Sequence, residues 1–115
     1  MTVTQYIDSI ATFLEANLSL YAPITIGRLT ADRKSIAIRI MPSGNTKHYD
    51  STRARDISYQ ILAKSNSHSE AITTLEDIAY KLEEIGAEVY SEPSYLQEDE
   101  QGFIYTSAYK DILDK

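Results

Sequence analysis

The chain predicts an α+β fold: a mainly antiparallel sheet with two helices on one face, in the order α-β-β-β-α-β-β. Three observations carry this. A strand-like alternation over 56–64 changes abruptly into a helical period over 71–85. A second helical stripe opens the chain and is stopped before Pro23. The remaining apolar runs are short, rich in β-branched and aromatic residues, and separated by polar turns, the pattern of consecutive hairpins. Two segregated helices among consecutive strands place both helices on one side of the sheet, in one domain over residues 1–115.

Each element has its local reason. Ile7, Ile10, Leu14 and Leu18 recur at helical spacing, so a helix is expected from Val3 to Leu20 with Thr4 as its N-cap. Pro23 bars continuation because it has no amide to donate. Ile24–Leu29 and Ser35–Met41 alternate as strands, and the short polar segment 30–34 between them predicts an antiparallel hairpin. Gly27 inside the first of these marks a bulge or a close approach by another backbone, or is neutral. Residues 42–52 have no period and carry Lys47, His48 and Tyr49 at their centre, so they form either an arm that reaches a partner or a surface hairpin tip.

The segment 53–86 organises the chain. Ile57, Tyr59, Ile61 and Ala63 fall on one strand face and Asp56, Ser58, Gln60 and Lys64 on the other. Ala71, Leu75, Ile78, Leu82 and Ile85 then form a helix stripe, Ser67 with Glu70 predicts a capping box, and Gly86 suits a left-handed helix end. Glu88–Glu92 begins a strand that Pro93 interrupts or confines to an edge. After the polar turn 97–102, Phe103–Tyr109 supplies a final strand. Phe103, Tyr105 and Tyr109 point one way, and Ile104, Thr106 and Ala108 the other. Two helices cover one face, so one row is expected to face outward and to be covered by other subunits, an expectation that the chain's many tyrosines suit.

Composition narrows the function. The chain has no cysteine, which excludes disulfides, thiolate zinc sites and a cysteine nucleophile. Nothing near Met1 resembles a signal peptide, and no run approaches the ~20 apolar residues of a membrane span, so no membrane role is expected. The net charge of −6 is unevenly spread. Arg28, Arg33, Lys34, Arg39, Lys47, Arg53, Arg55 and Lys64 make the middle third basic, whereas the residues after Ser65 are strongly acidic. Such a split complements itself between neighbouring copies, or forms two solvated surfaces of opposite sign.

Signs of chemistry are sparse. His48 and His68 have no third imidazole or thiolate to complete a usual zinc set, and Glu98-Asp99-Glu100 lacks the spaced ligands of a calcium loop. There is no phosphate loop, no nucleophile elbow, and no serine in a recognisable context with a base. No enzyme, cofactor or metal is expected. The basic segment 28–64, with Tyr49 beside Lys47, Arg53 and Arg55, offers a nucleic-acid-binding module as the alternative, against which stands the net negative charge.

The segment 93–109, an acidic-glycine-aromatic hairpin, together with the order of elements, resembles the minor capsid or tail-terminator (tail-completion, head-to-tail joining) proteins of long-tailed phages and prophages of Gram-positive bacteria. The resemblance implies a structural role without catalytic residues. Such proteins form a ring, commonly a hexamer, that caps the tail tube and docks it to the head connector, with DNA passing through unread. It implies a place at the head–tail interface of a virion assembled in the host cytoplasm, with itself, the tail tube protein and the head connector as partners. A head-to-tail ring needs two different patches per subunit. On the charge split and the aromatic rows, the candidate interface residues are Arg33, Lys34, Lys47, His48, Tyr49, Arg53, Arg55, Glu98, Asp99, Glu100, Tyr105 and Tyr109.

Overall fold

Helix α1 (Val3–Asn17) begins the chain, followed by strands β1 (Ile24–Ile26), β2 (Ser35–Met41) and β3 (Asp56–Ser65), helix α2 (His68–Glu84), and strands β4 (Glu88–Glu98) and β5 (Phe103–Ile112). The computed structural model describes residues 2–41, 56–99 and 102–112. The strands form one sheet in the order β1-β2-β3-β5-β4. Both helices pack on the face that carries Ile57, Tyr59, Ile61 and Ala63, so the α+β arrangement and the element order are as the periodicities predict.

The first helix is capped two residues earlier than expected. Thr2, not Thr4, is the N-cap, in a capping box with Gln5: its hydroxyl accepts from the Gln5 amide (3.1 Å) while the Gln5 carboxamide accepts from the Thr2 amide (2.8 Å). The helix ends at Asn17, before Leu20. Ile7, Ile10 and Leu14 are buried, and Tyr6, off the expected stripe, is buried with them. Its hydroxyl donates to Asp111 at 2.6 Å, which lets a polar ring end sit inside the core.

The predicted β1–β2 hairpin is replaced by a parallel pair, with Ile24 beside Ile36 and Ile26 beside Ile38. Parallel neighbours normally need a crossover of a dozen or more residues. Here residues 27–34 suffice, because a three-residue strand is only about 10 Å long. Gly27 makes the return, with φ of 105° and its amide bonded to the Ile38 carbonyl at 2.9 Å. The returning segment crosses the face opposite the helices and lays Leu29 on Ala37, Leu62 and Ile104. That closure also corrects the expectation for β5. Ile104 and Ala108 are buried within one chain, and on the other row Tyr109 is buried and Phe103 and Tyr105 half-buried, so neither row stands open.

Helix α2 has the predicted stripe as far as Leu82, with Ala71, Leu75, Ile78 and Leu82 fully buried, whereas Ile85 falls at the C-cap, beyond the helix, and is exposed; each of the three larger buried side chains contributes about 1.5–3 kcal/mol. Its capping box is rewired. The Ser67 hydroxyl accepts from the Glu70 amide (3.3 Å), but the Glu70 carboxylate takes a bond from the Ser65 hydroxyl (2.7 Å), and Ser65 Oγ serves the Ser67 amide (3.1 Å). The helix closes at Gly86 (φ 97°), where the Ala87 amide bonds the Leu82 carbonyl at 3.0 Å and the Gly86 amide that of Glu83 at 3.1 Å, the Schellman arrangement. Strand β4 is longer than its alternation suggested. It passes Pro93 as an edge strand with register shifts between Val89 and Ser91, Ser91 and Ser94, and Tyr95 and Gln97.

Candidate functional site

The strand order turns the charge split into geometry. Strands β1 and β4 are the two edges, separated by four strand spacings, or about 19 Å. At the first edge Arg28 follows β1 and Arg39 lies in β2; at the other, Glu88, Glu92 and Glu98 lie along β4, all of them exposed. The β4 edge is irregular and interrupted by proline, so it cannot template an orderly ladder, and contacts there fall to side chains. Tyr90, Tyr95 and Leu96 are exposed along it.

At one end of the sheet, a single buried ammonium ties two loops together. Lys64 Nζ donates to the Thr30 carbonyl at 2.8 Å and to Asp99 Oδ2 at 3.2 Å, with the lysine side chain 2% exposed. Asp99 also accepts the Gly102 amide (3.0 Å), which shapes the turn between β4 and β5. Beside the ammonium lies an open groove of about 740 Å³, lined by Ile26, Arg28 and Leu29 together with Lys64 and Asp99. Lys34 bridges to Glu70 at 2.9 Å, and this bond together with that from Ser65 holds the Glu70 carboxyl below its ordinary range.

A second polar cluster lies in the core. Tyr6, Tyr59 and Tyr109 form a row in which Tyr59 meets Tyr6 edge-on (ring centroids 5.7 Å) and Tyr109 stacked (5.5 Å). Burial pushes all three phenols up, Tyr109 to about 12, because a phenolate there would be stripped of water. For Tyr6, the bond to Asp111 adds to this effect. Neutral phenols at every ordinary pH give this cluster a structural part.

The candidate interface residues are distributed unevenly. Lys47, His48, Tyr49, Arg53, Arg55 and Glu100, with the rest of segment 42–52, lie outside the described residues. Lys34 and Asp99 are already engaged within the subunit, by Glu70 and Lys64. Arg33 and Glu98 are exposed. Tyr105 is half-buried and shares a hydrogen bond with His68 Nδ1 at 2.7 Å, beside the stacked rings of His68 and Phe103 (3.8 Å). Tyr109 is wholly buried and belongs to the core of the subunit. Sequence reasoning passed over Ile26, Leu96 and Lys64. The alternation around Lys64 put it on a polar strand face, and nothing local shows that residues 27–34 return over it. Among the described residues, no three His, Cys, Asp or Glu side chains group as a metal set would. Among these residues, too, no helix is long and apolar enough to cross a membrane. Comparison with protein-family models and with curated proteins finds no match.

Proposed function

We propose that the protein is a structural assembly protein of a virion, a ring-forming tail terminator or minor capsid protein that caps the tail tube and joins it to the head connector. The observation that carries this reading is the separation of a basic β1–β2 edge from an acidic, aromatic β4 edge on opposite sides of one sheet. Two unlike, complementary edges suit a head-to-tail contact, and such a contact closes into a ring when its rotation divides a full turn. Exposed charges at the rim steer docking, while aromatic and aliphatic side chains supply most of the affinity. On this reading the chain transforms no substrate, and DNA passes the ring without being read.

Electron microscopy of tail tubes mixed with the protein tests it. A ring on one end of each tube is expected, and decoration of DNA with affinity that falls steeply with salt would favour the nucleic-acid alternative instead. The engagement of Lys34 by Glu70 and of Lys64 by Asp99 withdraws two cations from the basic middle segment, which weighs against that alternative.

A further inference from the structure

We propose that the segment returning over the sheet, residues 27–34, is a strap whose middle lifts while its ends and the rest of the fold stay in place, uncovering Lys64 and the apolar floor of Ala37, Leu62 and Ile104. The strap acts within one subunit and does not depend on the assembly reading. It has few anchors. Within it only Leu29 is half-buried, and every other residue is exposed. Leu29 packs on Ala37, Leu62 and Ile104, a small cluster across the sheet from the main core, so lifting it leaves the packing beneath both helices untouched. A segment with one apolar anchor and exposed polar ties belongs to the low end of local stability.

The ends are fixed and the middle is lightly held. At one end the Gly27 amide bonds the Ile38 carbonyl at 2.9 Å, and at the other Lys34 bridges to Glu70 at 2.9 Å. Between them the ties are polar, and water can replace them: the Thr30 amide donates to the Ser35 hydroxyl at 3.0 Å, and the Thr30 carbonyl accepts from Lys64 Nζ at 2.8 Å. The bond to Lys64 is the latch, and it is a balanced one. Burial strips the ammonium of water, and its bonds to Thr30 and Asp99 offset that cost in the closed form. Opening returns the ammonium to water on its strap side, while Asp99 in the β4–β5 turn keeps its hold on the other. Gly27 can absorb the change in direction, since it already holds φ of 105° and no atom lies within 4 Å of the place a Cβ would take. Closure therefore depends mainly on Leu29.

Amine labelling tests the strap, because the Lys64 side chain is 2% exposed and reacts only when uncovered, whereas Lys110 is exposed and serves as the reference. The full-length parent, Leu29→Ala and Ile78→Val are treated with acetic anhydride in native buffer, and Lys64 acetylation is followed by mass spectrometry. With dilute reagent, reclosing outruns reaction and the rate reports the opening equilibrium. Leu29→Ala removes the anchor and should speed Lys64 acetylation about tenfold, equivalent to about 1.4 kcal/mol, with faster hydrogen exchange at the Thr30 amide. Ile78→Val weakens the main core and should leave the Lys64 rate unchanged, whereas a route through global unfolding would speed it roughly two- to tenfold. Acceleration in Ile78→Val by the factor of its lost stability would overturn the strap. A Lys64 rate indifferent to Leu29→Ala would overturn it too, and would place the opening in the β4–β5 turn.

Discussion

Gly102 offers the sharpest test of how the β4–β5 turn is tied to the rest of the fold. Its backbone has no positive φ, so glycine is not required there for conformational freedom. It is required for space. A Cβ at this position would lie 2.8 Å from the Ser65 carbonyl oxygen, 3.0 Å from the Ser65 carbonyl carbon and 3.4 Å from the Arg33 carbonyl oxygen. These are backbone atoms, and Ser65 is fully buried while its hydroxyl serves both Glu70 and the Ser67 amide at the start of α2. Gly102→Ala therefore has to displace the end of β3, and overpacking of this kind costs roughly 2 kcal/mol. With a urea m-value of about 1–3 kcal/mol/M, the unfolding midpoint should fall by roughly 1 M. Hydrogen exchange should quicken at the Ser67–Glu70 amides in particular. Gly27→Ala is the control. It has φ of 105° and no atom within 4 Å of the added Cβ, so its cost is local backbone strain of about 1–2 kcal/mol and leaves the α2 cap alone. An unchanged midpoint for Gly102→Ala, or protection at the α2 cap equal to the parent's, would refute the reasoning.

Further expectations concern the buried polar groups. Tyr6→Phe deletes the 2.6 Å donor to the buried Asp111 carboxylate and should lower stability by about 1–3 kcal/mol in thermal or urea unfolding, whereas Tyr59→Phe, whose hydroxyl lies 3.4 Å from that of Tyr6, should cost less. Tyr6, Tyr21, Tyr59 and Tyr109 all have phenols raised above their ordinary 10.0 by burial. A raised folded-state value keeps the proton bound while the unfolded chain loses it, so this contribution to stability is fully present below pH 10.0 and is lost as pH climbs toward the folded-state values, about 12 for Tyr109. In an alkaline absorbance titration these four should stay silent until the chain unfolds; ionisation of all nine tyrosines together near pH 10.0 in folded protein would contradict it. Ser65→Ala removes the bonds to Glu70 (2.7 Å) and from the Ser67 amide (3.1 Å) and should cost about 1–2 kcal/mol by urea unfolding, with Ser65→Thr closer to the parent if the methyl group fits.

Local periodicity was enough to decide which segments are helix and which are strand, and which face of each helix is apolar. Spacing of side chains along one element depends on its own dihedrals, so Ile57 to Ala63 and Ala71 to Leu82 declared themselves before any contact was known. Gly86 did the same for the helix end, because a left-handed residue has few occupants. Strand partners were another matter. Ile24–Ile26 pairs parallel with β2 because the chain doubles back at Gly27 and drops Leu29 on the far face, a long-range packing choice that a short polar connection does not reveal. The same packing turned Lys64 from an apparent surface residue into a buried clamp, and the packing of α1 on the other face of the sheet buried Tyr6, which lies off the predicted stripe, against Asp111, far along the chain. Charge segregation was legible as a change in composition along the chain, but its placement at two opposite edges came from the β1-β2-β3-β5-β4 order. The physical reason is common to all of these. Backbone geometry is local and leaves its period in the sequence, whereas burial and charge partnership depend on which distant segments the sheet brings side by side.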